Sequence, residues 1–196
     1  MRIYRPFFCA LCLFALALAG AASSSAMSVI PPTFTELVAK AEIVARIEVT
    51  GQTSQWDTSA SGQKVIHTYV QCRVIKQLKG AAQATLSLRF LGGQVGTSVM
   101  QIPDMPTFVT GQRYIVFVAA NGRAFCPLVG VMHGTYSLVT DSTGTDRVAR
   151  SNGTALRSAA DVKESQEAPA VVGESGMKRD DFEQAIAEEL GHGSAP

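Results

Sequence analysis

The chain has 196 residues, 17 Lys and Arg against 16 Asp and Glu, a formal net charge of +1 and a 46% hydrophobic share. A balance this even excludes a dedicated nucleic-acid or anionic-membrane binder, and the apolar share is that of a folded chain rather than a disordered one. The length suits one domain with a single core and an appendage, and is too short for two independent domains of ordinary size.

Arg2 and Arg5 precede an apolar run over residues 7–19, followed by small residues up to Ala26. The run is too short to span a bilayer comfortably, and the layout is that of a secretory signal peptide. Cleavage between Ala26 and Met27 is the expectation, with a cut after Ala21 as an alternative. No cysteine stands at a lipidation position, so the chain reads as secreted or periplasmic, with no stable membrane insertion after cleavage. The mature chain then holds 15 basic and 16 acidic residues, a net charge of −1. Residues 27–150 are mildly basic and 151–196 acidic.

Cys9 and Cys12 leave with the leader, and Cys72 and Cys126 remain. An even pair in an oxidising compartment is a disulfide candidate, which would contribute roughly 3 to 5 kcal/mol for a loop of this length. Two separate buried thiols are the alternative.

In chain order, Thr33-Phe34-Thr35-Glu36 after Pro31-Pro32 forms a capping box, and Phe34, Leu37, Val38 and Ala41 recur at helical spacing. Residues 43–50 alternate as a half-buried strand, and 51–63, rich in Gly, Ser, Thr and Gln, read as a long surface loop. A strand over 64–78 follows, with a bulge predicted at Val74-Ile75. Residues 85–90 give a third strand with Leu86, Leu88 and Phe90 inward. The glycines at 92, 93 and 96 read as a tight crossover to a short strand at 98–102. Residues 114–119 form an unbroken β-branched and aromatic run, the central strand. Asn121-Gly122 after it predicts a type I′ hairpin that folds 123–129 back alongside. Strands at 135–140 and 147–149 complete a mainly β chain, an antiparallel barrel of Greek-key, OB-like form. The domain plan is a leader (1–26), a barrel (27–150), a flexible linker (151–176) and a C-terminal amphipathic helix (177–191). In that helix Phe182, Ala185, Ile186 and Leu190 line one side. Docking on the barrel is expected, since a helix this short rarely persists alone.

The strand sequence Ala41-Glu42-Ile43-Val44-Ala45-Arg46-Ile47, the strand end Val74-Ile75-Lys76-Gln77-Leu78-Lys79-Gly80 and the stretch from Gly111 to Phe117 resemble the netrin-like module of the tissue inhibitors of metalloproteinases. Pro106-x-Phe108-x-x-Gly111-x-x-Tyr114 is similar to a pattern in an uncharacterised family of exported bacterial proteins. The resemblance covers about residues 33–140 and implies an OB-type five-stranded barrel. It does not carry the inhibitory site over, because the family's amino-terminal Cys-x-Cys is missing at Met27-Ser28-Val29, and most of the family's disulfides are absent.

Chemistry-bearing motifs are sparse. His67, His133 and His192 share no metal-ligand spacing, no Gly-x-Ser-x-Gly elbow accompanies the serines, and the Gly92–Gly96 loop opens no helix that could cradle phosphate. The expectation is therefore no cofactor, no metal and no catalysis. Asn152-Gly153-Thr154 is a glycosylation sequon only in a glycosylating host, and otherwise a turn. Trp56, Tyr69 and Phe108 are the candidate contact surface, Trp56 and Phe108 because aromatics in loops suggest interfaces. The functional expectation is an exported interaction module for an unidentified extracytoplasmic protein. A netrin-like protease inhibitor and a hydrolase with a dispersed site around His133 are the alternatives.

Overall fold

The computed structural model describes residues 30–163 and 176–192. The expected signal peptide and its expected cleavage between Ala26 and Met27 lie outside the described residues, as do residues 164–175 of the expected linker. Helix α1 (Phe34–Lys40) starts as the capping box requires: Thr33 Oγ1 accepts from the Glu36 amide at 3.2 Å and Glu36 accepts from the Thr33 amide at 2.9 Å. Its last carbonyls, at Val38 and Ala39, accept from Lys79 Nζ at 2.8 and 3.1 Å, a cation placed where the helix dipole is negative.

The strands that follow are β1 (Ile43–Thr58), β2 (Lys64–Lys79), β3 (Thr85–Leu91), β4 (Gly93–Val95), β5 (Ser98–Met100), β6 (Arg113–Val118), β7 (Thr135–Thr140) and β8 (Asp146–Arg150). Six form one antiparallel sheet in the order β3-β2-β1-β6-β7-β8, and β4-β5 is a separate hairpin. Helix α2 (Arg179–His192) closes the described chain. The molecule is thus mainly β and antiparallel, with a short helix at each end of the described chain.

Central strand β6 lies between β1 and β7, and both its faces are buried. Ile115 and Phe117 face the helices with Leu37, Val38, Tyr136, Phe182 and Ile186. Tyr114, Val116 and Val118 face a second core with Ile47, Val70, Leu88 and Phe90. Burial on both sides explains why its sequence runs apolar without alternation.

Backbone groups at both edges of the sheet are covered. Asn121 takes the place of a partner strand beside β3: its Oδ1 accepts from the Arg89 amide at 3.1 Å and its Nδ2 donates to the Ser87 carbonyl at 2.8 Å. Leu91 N donates to the Phe125 carbonyl at 2.7 Å, and the same segment returns to β6 through the Val118–Leu128 bridge. A return segment rather than a strand therefore links β3 to β6 and gives the sheet its barrel-like curl. At the opposite edge, Val148 N donates to the Met177 carbonyl at 2.9 Å and Arg150 N to the Thr154 carbonyl at 2.8 Å.

The bulge at Val74-Ile75 is present, since Arg46 faces Lys76 while Ile47 faces Val74. Four sequence readings are corrected. Residues 51–58 continue β1, held against 64–71 of β2 by a ladder that runs to Thr58–Lys64, with a shift at Thr50-Gly51. The backbone pairing overrides the polar composition. Asn121-Gly122 does not make a tight type I′ turn: the positive φ angles fall at Ala120 and Gly122, and the chain returns through a wide loop because the Asn121 amide is engaged by β3. Gly93 and Gly96 belong to the β4–β5 hairpin and Gly92 to the turn that leads into it, rather than to a crossover. The described part of the linker packs on the core, with Leu156 and Val162 buried beneath the helices.

Docking of α2 combines apolar and ionic contacts. Phe182 and Ile186 are fully buried, and Phe182 rings meet Tyr136 at 5.1 Å and Phe34 at 5.9 Å. Between them Glu183 turns inward, 4% exposed, with Arg46 at 3.0 Å and Lys76 at 2.7 Å. At the helix start Arg179 reaches Asp146 at 2.8 Å, and Asp146 is also held by both terminal nitrogens of Arg113 at 2.7 and 2.8 Å.

Candidate functional site

Beyond Val49 and Val70 the inner faces of β1 and β2 extend past the helix-covered part of the sheet. Gln52, Ser54 and Trp56 alternate onto this face opposite Val70, Thr68 and Ile66. The β3–β4 turn and the loop at 105–108 come down over it, leaving a cleft of about 320 Å³. Its walls are Val70, Phe90, Leu91, Met105, Pro106 and Phe108, with Gln52, Thr68, Thr107 and the backbone of Gly92 and Gly93.

Thr68 and Gln52 are each placed by a contact. Thr68 Oγ1 donates to the Gly92 carbonyl at 2.8 Å and lies 2.8 Å from Ser54 Oγ. Gln52 Nε2 reaches the Phe108 carbonyl at 3.4 Å. Gly93 has φ +133°, and a side-chain carbon there would collide with the Thr68 and Ser54 hydroxyls, so close approach of the β4 backbone requires glycine. The loop is pinned by the Val109 amide donating to Tyr114 Oη at 3.0 Å and by the Gly111 amide donating to the Val49 carbonyl at 2.8 Å.

Phe108 departs from its expected setting. It is a core residue, 5% exposed, and not an exposed loop aromatic. Ring contacts to Tyr114 at 5.0 Å and Phe90 at 5.4 Å draw it inward, so it contributes a wall to the cleft instead of a surface. Trp56 is 48% exposed, but it stands on a strand rather than in a loop. It shares the face of Gln52 and lies on the order of 13 Å further along β1 at the usual strand rise.

Tyr69 is on the other face of β2 and does not join the cleft. Its hydroxyl donates to Asp57 Oδ2 at 3.0 Å, and His67 Nδ1 lies 3.1 Å from the same oxygen. Hydrogen bonds from the Thr58 amide and then from Tyr69 hold Asp57 below the usual carboxylate range, while burial and the neighbouring Asp57 raise Tyr69. His67, on the face away from the inner core as expected, is nonetheless buried. His133 is buried in a short 3-10 turn before β7, and His192 ends α2 in solvent. The three imidazoles are therefore not brought together. Among the described residues no three His, Cys, Asp or Glu side chains converge on a point that could hold a metal.

Cys72 and Cys126 share the inner core and are not bonded to each other, the second of the two arrangements the sequence leaves open. Burial pushes Cys72 up to about 12 and Cys126 up to about 11, the latter against a hydrogen bond from the Leu128 amide. They act as small apolar side chains. No described helix is long and apolar enough to cross a membrane.

Sequence reasoning missed Gln52, Thr68 and Gly93. The one available signal was the Gly92-Gly93 pair, since adjacent glycines mark a place where two backbones come close. Comparison of the chain with protein-family models and with curated proteins finds no match.

Proposed function

We propose that the protein is an exported interaction module that engages another extracytoplasmic protein through the open end of its sheet, without chemistry of its own. The observation that carries this reading is the cleft. It is preformed, walled by Phe90, Phe108, Met105 and Pro106, and adjoined on the same face by the exposed Trp56. Concave apolar sites with a few fixed polar groups are where partners anchor. The signal-like leader supports the compartment.

A photo-crosslinking residue placed at Gln52 tests the reading, with the same residue at exposed Val139 on β7 as the control. In the producing cells the Gln52 position is expected to yield a discrete protein adduct that Val139 does not. The same adducts from both positions, or turnover of a substrate by the pure protein, would reverse the assignment.

A further inference from the structure

The lining of the cleft also says what kind of group it takes. Among the described residues, none that lines it is charged. Two of its side-chain polar atoms are already engaged within the fold: Thr68 Oγ1 with the Gly92 carbonyl and Ser54, and Gln52 Nε2 with the carbonyl of Phe108. An ion entering would shed water and find no counter-charge in the lining, an uncompensated desolvation.

The apolar walls are specific in shape. Phe90 and Phe108 are tilted at 46° with centroids 5.4 Å apart, and Tyr114 backs Phe108 edge-on at 5.0 Å. A third ring set among them would gain the offset or edge-to-face contacts that aromatic groups favour.

Resting on the reading of the cleft as the contact site, we infer that the group it receives from the partner is an uncharged apolar ring, and that the same ring bearing a full charge is refused. In a protein partner this is a Phe, Tyr or Trp side chain.

Three probes of nearly equal shape separate these chemistries: p-cresol, 4-methylbenzoate and 4-methylbenzylamine. Titrated into the ¹⁵N-labelled exported chain, p-cresol is expected to shift the amides of Gly92, Gly93, Thr107 and Phe108 saturably. The anion and the cation should bind at least about tenfold more weakly, as expected for burying an unpaired charge. Phe108→Leu keeps an apolar wall and removes its ring. It should weaken p-cresol several-fold while the amide dispersion away from the cleft is retained, and Val139→Ala should leave binding unchanged. Equal binding of all three probes overturns the inference, as do p-cresol shifts centred elsewhere, the absence of saturable shifts, or unchanged p-cresol binding by Phe108→Leu. If Gln52 crosslinks a partner while p-cresol does not bind, the inference falls and the interaction reading stands. Binding of p-cresol without any crosslinked partner supports the ring specificity of the cleft and removes the protein-partner reading.

Discussion

The two faces of the sheet are equally apolar at their centres and differ at their margins. Under the helices the margin is ionic: Glu183 with Arg46 and Lys76, Asp146 with Arg113 and Arg179, and Lys79 on the end of α1. On the inner face the margin is neutral, made of Ser54, Thr68, Gln52 and glycine backbone, and it stays open as a cleft. Ion pairs fix two elements in one relative position, whereas hydroxyls and glycines leave a rim that a partner can meet without displacing a charge. The helix-covered face therefore serves the fold, and the bare end of the other face is where the proposed contact would be made.

Truncating one ring on each side gives the largest expected contrast. Phe182→Ala removes a fully buried ring that touches Phe34, Phe117 and Tyr136, and should lower unfolding stability by about 3 to 5 kcal/mol, seen as a lower urea midpoint. Phe108→Ala opens a wall that already faces the cleft, so its loss should lie at or below the low end of that range. Equal losses from the two would mean that the cleft is not a real gap in the packing.

Next in size is the ionic margin. Glu183→Ala leaves the mostly enclosed Arg46, 16% exposed, without its partner, and breaking a buried pair costs about 3 to 5 kcal/mol when both charges are fully sequestered. Lys76 is half exposed and can turn to water, so a loss of about 1 to 3 kcal/mol is expected from the same denaturant measurement. Glu183→Gln should recover part of it. A neutral outcome for both would show that α2 is held by Phe182 and Ile186 alone.

How much of this was legible follows the range of the contacts involved. The central strand, the capping box and the bulge at Ile75 are local patterns, and each stood in the sequence. Residues 51–58 did not, because what makes them a strand is pairing with 64–71, a partner that composition cannot display. Phe108 sat among prolines and glycines like a loop aromatic, and only Phe90 and Tyr114 turned it inward. Glu183 is one acid among several in α2, and its meeting with Lys76 spans 107 residues. The cleft draws its walls from β1, β2, the β3–β4 turn and the 105–108 loop, so no single stretch announces it.

Acid should act on two sets of groups in separate windows. Burial, and then the charge of Arg150, push His133 down, so the folded state favours its neutral form. The unfolded chain then binds the extra proton first, and stability present at neutral pH should begin to fall as pH drops through about 6.5. Asp141 and Asp146 behave later. Hydrogen bonds from the Thr143 hydroxyl and then Arg147 hold Asp141 well below the usual range. For Asp146, burial works against the charge, but Arg113, Thr140 and Arg179 outweigh it, and the carboxyl is lowered on balance. Their contribution is complete above about 3.9, the unfolded value, and is lost as pH falls below it. Urea midpoints from pH 7.5 to 3 should show two descending steps, and His133→Gln should remove the upper one only. An unchanged upper step would transfer it to another group.

The smallest expected effect sharpens the comparison at the edge of β3. Asn121 covers this edge with two side-chain hydrogen bonds, one accepted from the Arg89 amide and one donated to the Ser87 carbonyl. Both groups are near solvent and can bond water instead, so Asn121→Ala should cost only about 0.5 to 1.5 kcal/mol in all. Hydrogen exchange is the sharper readout, because the Arg89 amide loses its acceptor while the Leu91 amide keeps the Phe125 carbonyl. Faster exchange confined to Arg89 and its neighbours would show that one amide side chain stands in for a missing strand there. Acceleration spreading to Leu91 and Phe90 would instead show that Asn121 holds the entire return segment, and with it the ring wall of the cleft.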